Sequence, residues 1–258
     1  MRLNLALLVV SIFALTGCAT YTTPGGPADF AALGVTAEMR AAQDAGTDDS
    51  RIREAFDRKP LATFPARLAV VRVQGVNYRS HTTRGYGYGR YSIVSLRDLE
   101  AGDNDPLARL QSMPMVHAVA PLNRIVVGNQ LNTDNDIRVA AAQLQADILL
   151  IYTFDTQFRS QQQAAPLSVI SLGLAPTKDV RVTTTASAIV MDTRSGFIYG
   201  LAEKTESSGQ VANAWTSGAA IDQTRRRVER RAFDGLLGEV EVLWADIVDR
   251  HGENLVGS

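Results

Sequence analysis

An α+β fold, with a mixed but mainly antiparallel sheet, helices packed on one face and a long C-terminal helix, is predicted by three stretches of this sequence. Over residues 180–191, Val182, Thr184, Ala186, Ala188 and Val190 alternate with Arg181, Thr183, Thr185 and Ser187, the period of a half-buried strand. Asp192-Thr193-Arg194-Ser195-Gly196 then turns the chain, and residues 197–205 return as its antiparallel partner. Residues 136–146 place Ile137, Ala140, Ala141 and Leu144 on one helical face and run straight into the apolar burst Ile148-Leu149-Leu150-Ile151 of a strand over 147–154. A helix joined at once to a strand marks an α/β or α+β layer. From residue 222 to 250, Val228, Ala232, Leu236, Val240, Leu243 and Ile247 recur at helical spacing.

The remaining elements follow in chain order. Residues 19–49 are small and polar, with Thr22-Thr23-Pro24-Gly25-Gly26-Pro27 reading as a tether and 28–43 able to form a helix. Asp49-Ser50 caps a short helix that ends before Pro60. The β-branched run over 67–73 reads as a central strand. Residues 77–91 contain Gly85-Tyr86-Gly87-Tyr88-Gly89, followed by a strand over 91–96. A dinucleotide loop needs a third glycine where Arg90 stands and a helix afterwards, so this stretch reads as the tip of a hairpin whose tyrosines can meet a partner. Pro106 opens a helix reaching about 113, residues 116–120 form a short strand, and Asp134 or Asn135 is placed to cap the helix at 136. Residues 164–174 are apolar, but Val169 and Ile170 are adjacent and Pro176 breaks the run. A packed loop or oligomer contact is therefore expected, not a membrane hairpin. Residues 207–220 read as a polar connection, and Arg225-Arg226-Arg227 with Arg230-Arg231 as a solvated basic face.

The first residues carry an address. Arg2 precedes an apolar core from Leu5 to Leu15 broken only by Ser11, too short for the roughly 20 residues that span a bilayer and patterned as an export signal. It closes on Leu15-Thr16-Gly17-Cys18, which contains the only cysteine of the chain. That tetrad resembles the lipobox of bacterial lipoproteins: an apolar residue, two small residues and a cysteine. The resemblance implies cleavage between Gly17 and Cys18, a diacylglyceryl thioether on the Cys18 sulfur and acylation of the new amine. With Ala19 next, where an aspartate would favour the inner membrane, it implies anchoring in the outer membrane, with the domain facing the periplasm. The chain then divides into a signal peptide at 1–17, an anchor and flexible tether at 18–49 and an α+β domain at 50–258. Two or more acyl chains hold a protein stably, since each buried methylene contributes about 0.8 kcal/mol.

Composition narrows the classes of function. Losing residues 1–17 removes one base and no acid from the 26 basic and 27 acidic residues, so the mature chain is close to neutral. Neither nucleic acid nor a broad anionic surface is expected as its partner. With Cys18 acylated, no thiol remains for a disulfide, a nucleophile or a thiolate metal site. His81, His117 and His251 lack metal-ligand spacing, and no serine sits in a nucleophile elbow. Asp155 and Asp192, at strand ends, can be imagined as a glycosidase-like pair, although aspartates there usually form turns. No catalytic residue, cofactor or metal is therefore assigned, and Cys18 is the one site residue.

The helix-to-strand run 140–154 and the hairpin through 192–196 make the domain similar to periplasmic domains of curli-secretion (CsgG-like) and related envelope lipoproteins. The resemblance implies a non-enzymatic envelope assembly, secretion or stress-related factor that binds membrane lipid through acylated Cys18 and an envelope protein through its domain. Two alternatives are a subunit of an oligomeric secretion channel, which would require residues 77–96 and 164–180 to enter lipid, and a cell-wall-active enzyme.

Overall fold

The structure, a computed structural model, describes residues 23–30, 48–96, 105–162, 178–212 and 218–252. Its elements run α1 (Asp48–Asp57), β1 (Ala66–Gly75), β2 (Tyr88–Gly89), β3 (Tyr91–Val94), α2 (Pro106–Gln111), β4 (Val116–Pro121), β5 (Gln130–Leu131), α3 (Asp134–Gln143), β6 (Ile148–Gln162), β7 (Lys178–Asp192), β8 (Ile198–Ala212) and α4 (Gly218–His251). The main sheet has six strands, ordered β3-β1-β6-β7-β8 with β4 also paired to β1. Within that sheet β1–β4 and β1–β6 are parallel and β1–β3, β6–β7 and β7–β8 antiparallel, while β2 and β5 form a separate parallel pair. The expected mixed, mainly antiparallel α+β sheet and its long C-terminal helix are present.

The helices are divided between the two faces, where one face had been expected. Leu68 and Val70 of β1 join Leu150, Tyr152 and Phe154 of β6 against Phe233, Leu236, Leu237, Val240 and Trp244 of α4. Ala69, Val71 and Val73, the alternate residues, join Leu149 and Ile151 against Ile137, Ala140 and Ala141 of α3. A strand this apolar on both sides must be covered on both sides, which is why 66–75 reads as a near-continuous apolar run. Each large side chain so buried contributes roughly 1.5–3 kcal/mol.

Several boundaries differ from the sequence reading. Strands β6 and β8 are 15 residues each, extending the expected 147–154 and 197–205 through the polar residues that follow. Cross-strand pairs such as Thr156 with Thr184 (3.0 Å) and Thr185 with Thr205 (2.8 Å) keep these polar stretches in register. The helix at 134 is capped by Thr133, not by Asp134 or Asn135, because the Asp136 carboxylate reaches back to the Thr133 N–H at 2.9 Å and completes a capping box. The residues expected as tether include 23–30, and these are bonded to the sheet. The Gly75 N–H donates to the Gly26 carbonyl at 3.0 Å, and the Ala28 N–H to Thr153 Oγ1 at 2.9 Å. The expected helix over 28–43 and the apolar 164–174 stretch lie outside the described residues or almost wholly so.

The molecule has two ends. At one, the β7–β8 turn is built on fully buried Asp192. One carboxylate oxygen accepts from the Arg194 and Ser195 N–H groups at 2.8 and 2.9 Å. The other accepts from the Leu61 and Ala62 N–H groups, both at 2.6 Å, and from the Tyr199 hydroxyl at 3.0 Å. Arg138 of α3 braces the same turn through the Thr193 carbonyl at 2.9 Å. The other end holds the end of β1, the start of α4 and the outer halves of β6–β8.

Burial alone would raise the Asp192 pKa, but the N–H donors of Ser195, Leu61 and Ala62 and the Tyr199 hydroxyl outweigh it and hold the carboxyl below its usual range. A depressed folded pKa stabilises above the unfolded value of about 4 and loses that stabilisation as pH falls through the folded value. Asp192→Asn in the chain from Ala19 onward should therefore lose about 2–4 kcal/mol in urea denaturation at pH 7. The gap from the parent should narrow below about pH 4. A gap unchanged at low pH would show that the carboxylate charge is not what the turn uses.

Candidate functional site

The end of β1 carries a charge where its neighbours are apolar. Arg72 falls on the same face as Leu68 and Val70, pointing into the core beneath α4, and is 1% exposed. It is tolerated because acceptors and aromatic faces converge on it. Its Nη2 donates to the Tyr78 hydroxyl at 3.1 Å and lies 3.6 Å from the Glu229 carboxylate. Its guanidinium lies 4.6 Å from the Phe154 ring centroid and 5.4 Å from that of Tyr78.

The first turns of α4 supply the rest. Asp222, Arg225 and Glu229 recur at i, i+3 and i+7 and so share one helical face. Arg225 bonds Asp222 through Nε at 2.9 Å and Glu229 through Nη1 at 2.6 Å. Burial alone would lower the Arg225 pKa, but Glu229 and Asp222 outweigh it and raise it, so the charge stays. Thr156 donates to the second Glu229 oxygen at 3.1 Å, and Arg226 reaches Asp222 from the surface at 3.2 Å. The expectation of a solvated basic face thus fails for Arg225 and Glu229, which are buried, while Arg226, Arg227 and Arg231 remain at the surface. Arg225 lies on the stripe of Val228, Ala232 and Leu236, a signal already present in the helical spacing.

This buried network holds the loop of residues 76–90. Tyr78 anchors one side through Arg72; burial, ahead of every neighbouring charge, raises its pKa and keeps the phenol protonated. Thr82 anchors the middle, donating to Asp222 at 3.0 Å. Beyond, the Tyr88 N–H donates to the Asn129 carbonyl at 2.6 Å and the Arg90 N–H to the Leu131 carbonyl at 2.8 Å, fastening the loop to β5. The alternating glycines follow from that contact. A Cβ on Gly87 would stand 2.3 Å from Leu131 Cδ1 and one on Gly89 2.4 Å from the Leu131 carbonyl, at φ of +108° and +125°. The intervening Tyr86 and Tyr88 are turned outward, Tyr88 being 73% exposed. Between them, residues 77–79 and 84–88 enclose a hollow of about 510 Å³ that Arg79 and Arg84 help to line.

The residues considered for chemistry stay apart. Asp155 and Asp192 are separated by seven residues along β6 in the sheet register, about 23 Å, far beyond a glycosidase pair. Asp192 is committed to its turn. His251 lies against Tyr199 at 5.3 Å between ring centroids, and His81 and His117 are exposed at other places. Among the described residues, no group of three or more histidines, cysteines, aspartates and glutamates is placed to hold a metal. Cys18 lies outside the described residues.

No family model and no curated protein matches the chain. Among solved structures it is similar to a Xanthomonas campestris protein of the family model DUF330, with TM-score 0.36 and 11% identity over 75% of this chain and 91% of that one. It is also similar to lipoprotein GNA1162 of Neisseria meningitidis, with TM-score 0.30 and 16% identity over 65% and 99% of the two chains. A hypothetical protein of Chlamydia trachomatis gives TM-score 0.28 and 12% identity over 68% and 95%. Similarities at this level assign no family, so function is argued from the residues.

Removing one member of a buried ion network leaves its partners charged and unpaired. Glu229→Gln should cost about 3–5 kcal/mol in urea denaturation of the chain from Ala19 onward. Thr82→Ala, which removes one hydrogen bond at the rim, should cost about 1 kcal/mol. Equal losses from the two would mean that the network does not carry the buried charge as described.

Proposed function

We propose that this chain is an outer-membrane lipoprotein, acylated on Cys18, whose α+β domain faces the periplasm and acts as a non-enzymatic binding factor in envelope assembly, secretion or stress response. The observation that carries the reading is Leu15-Thr16-Gly17-Cys18 at the end of an export-type signal. The apolar run before it is removed on this reading, and no described helix is long and apolar enough to cross a membrane. The lipid anchor supplies the attachment.

The two alternatives draw less support from the geometry. A channel subunit would place 77–96 in lipid, but that stretch contains Arg79, Arg84 and Arg90 and is fastened to β5 and to the start of α4. Arginines facing hydrocarbon are costly at the bilayer midplane. A glycosidase-like enzyme would need Asp155 and Asp192 together, and the sheet holds them apart.

The test is metabolic labelling with radioactive palmitate, followed by detergent phase partition and membrane fractionation. The parent protein should take the label, enter the detergent phase and sediment with outer membranes, while Cys18→Ser should do none of these. An unlabelled, water-soluble parent would overturn the reading. Affinity purification of the labelled protein from solubilised envelopes then reads the binding role, where a stoichiometric protein partner is the expected result.

A further inference from the structure

The chain is close to neutral overall, yet one end is not. From Arg58 to Arg97 there is no aspartate or glutamate, and the 76–90 loop within it carries Arg79, His81, Arg84 and Arg90. All four are exposed, and no ion pair joins the three arginines to an acidic group among the described residues. Asp222, the buried acid that Thr82 of this loop reaches, is already taken by Arg225 and Arg226. Tyr86 and Tyr88 stand among these cations, and Tyr88 is largely exposed.

The path of the N-terminal segment fixes where this loop stands. Gly26 is bonded to Gly75, the last residue of β1, and a Cβ on Gly25 would lie 3.4 Å from Tyr78 Cα, so the segment docks at the root of the loop. Four residues separate Cys18 from Thr23, the first described residue, and the five Cα-to-Cα steps between them span at most about 18 Å when fully extended. An acylated Cys18 therefore holds the cationic end toward its own leaflet and leaves the Asp192 turn at the far end of the sheet.

We propose that the 76–90 loop is a second membrane contact, in which Arg79, Arg84 and Arg90 bind anionic phospholipid headgroups of the leaflet that holds the Cys18 acyl chains. Tyr86 and Tyr88 sit at headgroup depth, where amphipathic aromatic rings are favoured. The hollow between Arg79 and Arg84 receives a headgroup phosphate, and the buried network beneath keeps the loop in shape. The contact is local and leaves the rest of the neutral surface without attraction to anions. It rests on the lipoprotein reading for the identity of the surface, because the anchor brings the loop to it.

The experiment separates the two readings. Acylation is read from the mass of the purified protein, so its absence would remove the proposed function without touching the loop measurement. The loop is tested with the chain from Ala19 onward, which lacks the acylated Cys18, co-sedimented with vesicles of phosphatidylethanolamine and phosphatidylglycerol at 3:1, against vesicles of phosphatidylcholine. Binding should be confined to the anionic vesicles and fall roughly tenfold to a hundredfold in the combined Arg79→Gln, Arg84→Gln, Arg90→Gln variant. It should also weaken at about 0.5 M salt. In the acylated protein, a nitroxide on Tyr88→Cys should be shielded from a water-soluble relaxation agent in the anionic vesicles, and one on Ser195→Cys should not. Equal exposure of the two labels, or equal binding of the parent and the triple variant, would overturn the proposal. All three arginines are at the surface, so an unchanged urea midpoint for the triple variant confirms that folding is not what was lost.

Discussion

The Glu229 carboxylate lies between two buried guanidinium groups, and much of one end of the molecule follows from the need to keep those charges paired. It draws the first turns of α4 onto β1 and β6, fixes the helical register through Asp222 and Arg225, and leaves Tyr78 and Thr82 as handles for a loop with little apolar surface of its own. Well-packed apolar side chains in the same space can equal or exceed such a network in stability, while removal of one member is severe. What the network adds is definition: Arg72, Arg225, Thr156 and Thr82 each donate to a particular acceptor, even though Arg72 Nε and Arg225 Nη2 find none among the described residues. Asp192 plays the corresponding part at the opposite end, using backbone N–H groups in place of arginines.

Much of the architecture was legible because its periodicities are plain. The alternation through Val182, Thr184, Ala186, Ala188 and Val190 and the stripe from Val228 to Ile247 each identified an element and its buried face. The misplaced strand ends share a cause. Residues 155–162 and 206–212 are mostly threonine, serine, glutamine and charged residues, with Phe158, Gly209, Val211 and Ala212 among them, and local composition there resembles a loop, although pairing with β7 holds them extended. Helices on both faces were foreshadowed by adjacent Val70-Val71 and Leu149-Leu150, since a strand with apolar neighbours on both sides cannot leave one side in water. The buried network was missed because an arginine among arginines looks solvated. Its place in the sequence is shown by the apolar residues three and seven positions further on, not by its own charge.

The candidate site was legible as composition and not as geometry. Gly85-Tyr86-Gly87-Tyr88-Gly89 announced a tight segment with outward tyrosines, but the reason for each glycine is the Leu131 side chain and carbonyl, some forty residues away in sequence. The docking of residues 23–30 had no local signal at all, because a Thr-Pro-Gly stretch looks the same whether it is free or hydrogen-bonded to the end of β1. That docking seats residues 23–30 at the root of the 76–90 loop.

The central position of β1 also bears on how the chain assembles. The strands β6, β7 and β8 pair antiparallel with their neighbours in sequence, whereas the parallel pairing of Leu68 with Ile148 joins residues 80 positions apart. Loop-closure entropy makes such a parallel pairing the slow step, so a three-stranded meander with α4 can form before β1 is inserted beside β6. The N-terminal segment, bonded to β1 and to Thr153, then closes over a sheet that is otherwise complete. The part of the domain that leaves the ribosome first is thus the last to find its place.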